Sequence, residues 1–282
     1  MKVIPSPYPP VHIASESLFT HLFRTSYNNG KPSDPAFIEA ATGKTITRQQ
    51  TRDFALQFAY GLRQGFAERG GISLKRGDTI LCFSVNSISW PIFLYGAFAA
   101  GIKATLANSG YTARELEYQY KDSQSQLVLV HPTMLQVVLD MFRNMNVPEA
   151  EVRKRVIVAD YGMERAPHTA RFTNIDDLLG KGQLEEEEKF PGEQSNEVAF
   201  LCYSSGTTGN PKGVMVRLAE YFLSGVVTDN CWSSDYSPER DCAGDDGEIR
   251  YANRPQDSGG YARSSSVLSH LWCVSIGGCS TT

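Results

Sequence analysis

Between positions 75 and 204 the chain alternates between two apolar rhythms. Short, nearly continuous apolar runs of strand length occupy residues 79–84, 126–131, 155–160 and 198–203. Runs of that kind belong to strands covered on both faces. Helical patterns lie between them. Residues 90–102 are apolar almost throughout and predict a buried helix, and 132–145 predict another. Leu116 and Tyr120 share one face of a helix opened by Thr112 and Glu115, whose spacing is that of a capping box. Residues 101–106 form a weaker candidate strand.

Upstream the pattern is more local. Residues 14–23 predict a short helix with Ser15 as its cap. Residues 36–40 and 45–47, joined by Thr42-Gly43-Lys44, predict a hairpin. Thr47 and Gln50 have capping-box spacing, and Phe54, Phe58 and Leu62 line one face of the following helix, which ends near Gly70-Gly71. Residues 179–196 contain Gly180, Gly182, four consecutive Glu (185–188), Pro191 and Gly192. They read as a solvated connector. Strand–helix alternation on this scale predicts an α/β fold, layered around a largely parallel sheet.

Composition narrows the picture. The 282 residues suffice for one large domain or two ordinary ones, and their net charge of -4 offers no electrostatic attraction for nucleic acid or an anionic membrane. The charge is unevenly spread. Residues 216–282 hold 5 Arg, no Lys and 9 acids, whereas residues 1–215 balance 22 bases against 22 acids. The longest apolar stretch has thirteen residues, too few to span a bilayer, so no transmembrane segment is expected. Pro5, Pro9 and Pro10 interrupt any signal-peptide core. Cys82 and Cys202 sit in apolar runs and read as buried thiols. The pairs Cys231/Cys242 and Cys273/Cys279, spaced by 11 and 6, do not suit zinc. A reducing, cytoplasmic setting follows as the expectation, and the terminal Ser-Thr-Thr is no peroxisomal address.

The chemistry-bearing segment follows the last apolar run. Ser204, Ser205, Gly206, Thr207, Thr208, Gly209, Asn210, Pro211, Lys212 and Gly213 form a hydroxyl- and glycine-rich loop ending in a lysine. Glycines let a backbone approach phosphate oxygens, successive N–H groups form an anion-binding concavity, and Lys212 adds a compact positive charge. The P-loop pattern is excluded by spacing. Pro211 stands where its second glycine belongs, and Gly213 follows the lysine where a hydroxyl is required. An ordinary surface loop is the alternative that composition alone favours.

The string from Tyr203 to Met215 resembles the phosphate-loop signature of the adenylate-forming superfamily, which includes acyl- and aryl-CoA synthetases, firefly luciferase and peptide-synthetase adenylation domains. Lys75-Arg76-Gly77-Asp78, and Asn108 with Thr112, Glu115 and Leu116, resemble two upstream family segments. The likeness covers roughly residues 15–215, and its pattern is nearest to 4-coumarate–CoA ligase-like and related acyl-CoA synthetases.

The resemblance implies activation of a carboxylic acid by Mg2+-ATP to an acyl-adenylate, then transfer to coenzyme A. It implies that Ser204, Ser205, Gly206, Thr207, Thr208 and Gly209 cradle the β/γ-phosphates with Lys212 beside them. None of these residues acts as nucleophile or general base. It implies the N-terminal part, residues 1–215, of the large adenylating domain.

Family segments expected after Met215, including a His-containing substrate segment and a late catalytic Lys, are not found in frame, so a truncated and inactive chain is expected. Residues 216–282 are expected to be an out-of-family tail, frame-shifted or intron-derived and poorly ordered. Val216-Arg217 can be encoded GTG CGT, like a donor splice site. One reading of 266–272 shifted by a nucleotide gives Pro-Phe-Ser-His-Ile-Tyr-Gly, similar to the absent His segment. A genuine lineage-specific terminus is the alternative. A non-catalytic nucleotide-binding or regulatory isoform, and an adenylation domain of a larger synthetase, stand as alternative functions. Sheet edges left uncovered predict poor solubility.

Overall fold

A computed structural model describes residues 17–23, 31–40, 42–191, 193–194, 197–204 and 211–217. Helix α1 (Leu18–Phe23) is followed by strands β1 (Pro35–Ile38) and β2 (Thr45–Thr47). These two pair antiparallel, Ile38 with Thr45, as expected of the turn between them. Gly43 adopts φ +71° in that turn, a left-handed conformation open to glycine without penalty. Helix α2 (Arg48–Tyr60) starts on the expected capping box. The Thr47 hydroxyl accepts from Gln50 N, and the Gln50 side chain accepts from Thr47 N. A π-helical turn at Gly61–Gly65 leads into α3 (Phe66–Glu68).

The sheet-building half comes next. It comprises β3 (Thr79–Phe83), α4 (Ser89–Ala99), β4 (Lys103–Leu106), α5 (Ala113–Asp122), β5 (Leu127–Val130), α6 (Leu135–Asn144), α7 (Glu149–Arg153) and β6 (Val156–Val158). Strand β7 (Thr173–Asn174), helix α8 (Ile175–Leu178), and strands β8 (Val198–Ser204) and β9 (Lys212–Arg217) complete the described elements. The sheet runs β7-β6-β5-β3-β4-β8-β9. Every neighbouring pair is parallel except β8–β9, which is antiparallel. The expected α/β fold with a largely parallel sheet is therefore what forms.

The core explains why the apolar runs are continuous. Leu81, Phe83, Val128, Val130, Val156 and Val158 pack in one cluster with Leu116 of α5 and Leu135, Val138 and Phe142 of α6. The intervening Ile80, Cys82, Leu127, Leu129 and Ile157 are equally buried, so the sheet is covered on both faces. Helix α4 buries all its residues but Trp90. Gly96 lets it meet α2, since a Cβ there would lie 2.9 Å from the Ala55 carbonyl oxygen. The turn before β3 closes through Lys75 N donating to Asp78 Oδ2 at 2.8 Å, with Gly77 at φ +85°.

Two features differ from the sequence reading. Residues 179–196 are not simply solvated. Glu185 and Glu186 are exposed, but the Thr20 hydroxyl donates to Glu187, and Glu188 bridges Arg63 (2.6 Å) and Arg76 (3.0 Å). Arg76 also reaches Glu197 at 2.6 Å and lies 4.4 Å from the Phe190 ring centroid. The connector is a strap tied by two arginines that the tertiary fold brings to it. In addition, β9 was not expected as a strand, and it runs through Val216 and Arg217, beyond residue 215.

Candidate functional site

Strand β8 lies parallel to β4, with Ala104 opposite Phe200 and Leu106 opposite Cys202. Ser204 therefore leaves the sheet at the carboxyl end of its parallel strands, where open α/β sheets place their ligand crevices. The chain returns at Pro211 and enters β9 at Lys212, which pairs with Ser204. Tyr203 pairs with Gly213. Both Ser204 and Lys212 are exposed. The hairpin thus sets one end of the candidate loop, a hydroxyl, opposite the other, an ammonium. Ser205, Gly206, Thr207, Thr208 and Gly209 lie outside the described residues.

Helix α5 braces this hairpin through residues the sequence reading did not single out. Tyr118 Oη donates to the Pro211 carbonyl oxygen at 3.0 Å. Tyr203 Oη donates to Asp122 Oδ2 at 2.5 Å. Burial, and then this bond to a carboxylate, push the Tyr203 phenol well above its ordinary pKa. Deeper down, Gln119 Nε2 donates to Thr105 Oγ1 at 2.8 Å, and Thr105 Oγ1 donates to the Leu201 carbonyl at 3.0 Å. The helix begins on the expected capping box. Bonds from Thr112 N and the Thr112 hydroxyl hold the Glu115 carboxyl below its usual range. No local pattern marks Tyr118 or Asp122, whose partners lie 93 and 81 residues away.

Other ionisable groups have structural surroundings. His131 is buried at the end of β5, caps the turn Pro132–Met134, and shares a 2.8 Å hydrogen bond with the Thr133 hydroxyl. Burial lowers its pKa against an opposing pull from Glu39. Burial raises the thiol pKa of Cys82 and that of half-buried Cys202. Asp160, just past β6, is 3% exposed, and its Oδ1 has no hydrogen-bond partner among the described residues. Burial pushes its carboxyl up to about 6. Among the described residues no group of three or more His, Cys, Asp or Glu could hold a metal ion. Nor is any helix among them long and apolar enough to cross a membrane.

Solved structures of similar architecture include two CoA ligases. An anthranilate CoA ligase in complex with anthranoyl-AMP superposes with a TM-score of 0.60 at 20% identity, over 74% of this chain and 36% of that one. A long-chain-fatty-acid-CoA ligase from Archaeoglobus fulgidus gives 0.61 at 19% identity, over 79% and 41%. At such identities the likeness concerns the fold. The AMP-binding enzyme family matches residues 24–246, and the chain belongs to that family. Acyl-CoA synthetase 7 of Caenorhabditis elegans is 32% identical over 194 residues, 66% of this chain and 31% of that protein. 4-Coumarate–CoA ligase 1 of Petroselinum crispum is 29% identical over 215 residues, 76% of this chain and 34% of that protein. The chain therefore spans about one third of the length of these curated relatives.

Proposed function

We propose that residues 204–212 bind the β/γ-phosphates of ATP in an acid–CoA ligase. The observation that carries this reading is the pairing of Ser204 with Lys212 at the carboxyl end of the sheet, at the two ends of a Ser/Thr/Gly string. Backbone N–H groups and hydroxyls of Ser204, Ser205, Gly206, Thr207, Thr208 and Gly209 would donate to phosphate oxygens. Lys212 would neutralise part of their charge, and Mg2+ would arrive on the triphosphate.

In the reaction a carboxylate oxygen of the acid attacks the α-phosphorus. The bond to the β-phosphate breaks and pyrophosphate leaves. The coenzyme A thiolate then attacks the acyl carbon and AMP departs, leaving the thioester. The residues named here bind and orient the triphosphate; the acid and coenzyme A would be held by others.

Calorimetric titration of the chain with Mg2+-ATP tests the proposal. Saturable binding that weakens in Lys212→Ala supports it, and an absence of binding overturns it. Acid-dependent ATP–pyrophosphate exchange separately reports whether this chain also performs the adenylation step.

A further inference from the structure

We infer that Tyr118 and Asp122 of α5 are positioning residues for the nucleotide, acting by holding both ends of the phosphate-binding segment against one helix. The inference deepens the ATP reading above and rests on it.

Tyr118 and Asp122 are four residues apart and project from the same face of α5. Tyr118 holds the Pro211 carbonyl on the exit side. Asp122 holds the Tyr203 hydroxyl on the entry side. The two hydrogen bonds end at the margins of the segment, on Tyr203 just before it and on Pro211 near its end, rather than within the apolar core. The Tyr203–Asp122 bond joins a hydroxyl to a carboxylate, and charge-assisted bonds of that kind are the stronger class.

Gly213 is part of the same device. A Cβ at that position would lie 3.0 Å from Tyr203 Cζ and 3.1 Å from its Oη. The missing side chain lets the Tyr203 ring lie across its strand partner and reach Asp122. The helix is itself a firm support. Leu116 and Tyr120 are packed in the core, Gln119 is tied through Thr105 to Leu201, and a complete capping box fixes its first turn.

The physical gain is preorganisation. Donors carried between two fixed attachment points give up less conformational freedom on binding an anion, so the same donors bind more tightly. Loss of one such tie forfeits the contribution of about one hydrogen bond, roughly 5–10-fold in affinity.

The test uses the full chain with Tyr118→Phe, Asp122→Ala, Tyr203→Phe and the double variant Asp122→Ala/Tyr203→Phe. Three quantities are measured: the Mg2+-ATP dissociation constant, the nucleotide-free melting temperature and backbone amide exchange. Each single variant is expected to bind ATP ~5–10-fold more weakly, and the double variant no more weakly than the worse of its singles. Amide exchange is expected to rise in β8 and β9 while β3 and β5 keep their protection.

Wild-type chain that binds ATP alongside variants that bind equally well overturns the positioning role and leaves the ATP reading standing. Faster exchange throughout the sheet also overturns it, because the residues would then serve general stability. Wild-type chain that binds no ATP overturns the ATP reading and the positioning role together.

Discussion

The centre of the sheet and its β8–β9 margin are held by different forces. Strands β3, β5 and β6 are buried on both faces, and the residues that stabilise them are aliphatic and aromatic. At the margin, Val214 and Met215 of β9 are 53% and 62% exposed, and the hairpin is secured by tyrosine, aspartate and a backbone carbonyl. Apolar burial is strong and non-directional, so it builds a scaffold. Hydrogen bonds are weaker but directional, so they set distances, as the proposed role of this hairpin would require. The contrast places non-directional apolar packing in the centre and directional polar ties at the β8–β9 hairpin.

The largest effect that could break this comparison is in the centre. Phe83→Ala should lower the unfolding free energy by ~3–5 kcal/mol in urea titrations, since Phe83 is fully buried in the main cluster. A loss under about 1 kcal/mol would show that the centre is not the scaffold. Next comes the strap. Arg76→Ala removes ion pairs to Glu188 and Glu197, both partly open to solvent, and the contact with the buried Phe190 ring, and should cost ~1–2 kcal/mol, less at high salt.

At the margin, Lys212→Ala should weaken Mg2+-ATP binding by about tenfold without moving the melting temperature, because Lys212 is exposed. Equal shifts in both would make it a structural residue.

Asp160 offers a pH test of the centre. Its carboxyl titrates near 6 in the folded chain, whereas an unfolded Asp loses its proton near 4. Retained protonation thus stabilises the fold fully below about pH 4, and this contribution is lost as pH rises through 6. The groups that face it are Asp176, Asp177 and Arg165. Asp160→Asn should therefore gain ~2 kcal/mol on the parent chain between pH 4 and 7, read from paired denaturant curves. A constant difference across that range contradicts the buried setting.

The smallest effect is expected from Met215→Lys. It should change stability by about 0.5 kcal/mol or less and reduce self-association in sedimentation, since a charge blunts an exposed edge strand.

The central strands were legible because a strand covered on both faces must be apolar at every position, as Leu127–Val130 is. The capping boxes at Thr47 and Thr112 were legible because their hydrogen bonds close within three residues. Helix α7, strand β7 and helix α8 are short and carry no apolar period of their own. Strand β9 was missed because an exposed edge imposes no hydrophobic pattern: Lys212-Gly213-Val214-Met215 reads equally well as the end of a loop. The acidic run at 185–188 was misjudged for a related reason. Nothing local distinguishes Glu188, which two arginines grip, from Glu185, which is exposed.

By itself the sequence determined the α/β alternation, the capped helix starts at Thr47 and Thr112 and the hydroxyl–glycine–lysine string, along with the family resemblance that string carries. Each depends on neighbours within a few residues or on a continuous stretch of one solvent preference. Only the tertiary structure decided the strand order, the antiparallel turn of β9, the arginine-held strap and the two ties from α5 to the ends of the loop. The strap's arginine pairs and the two ties join residues 81 to 125 positions apart. Their partners are chosen by how the layers pack, which no local pattern encodes.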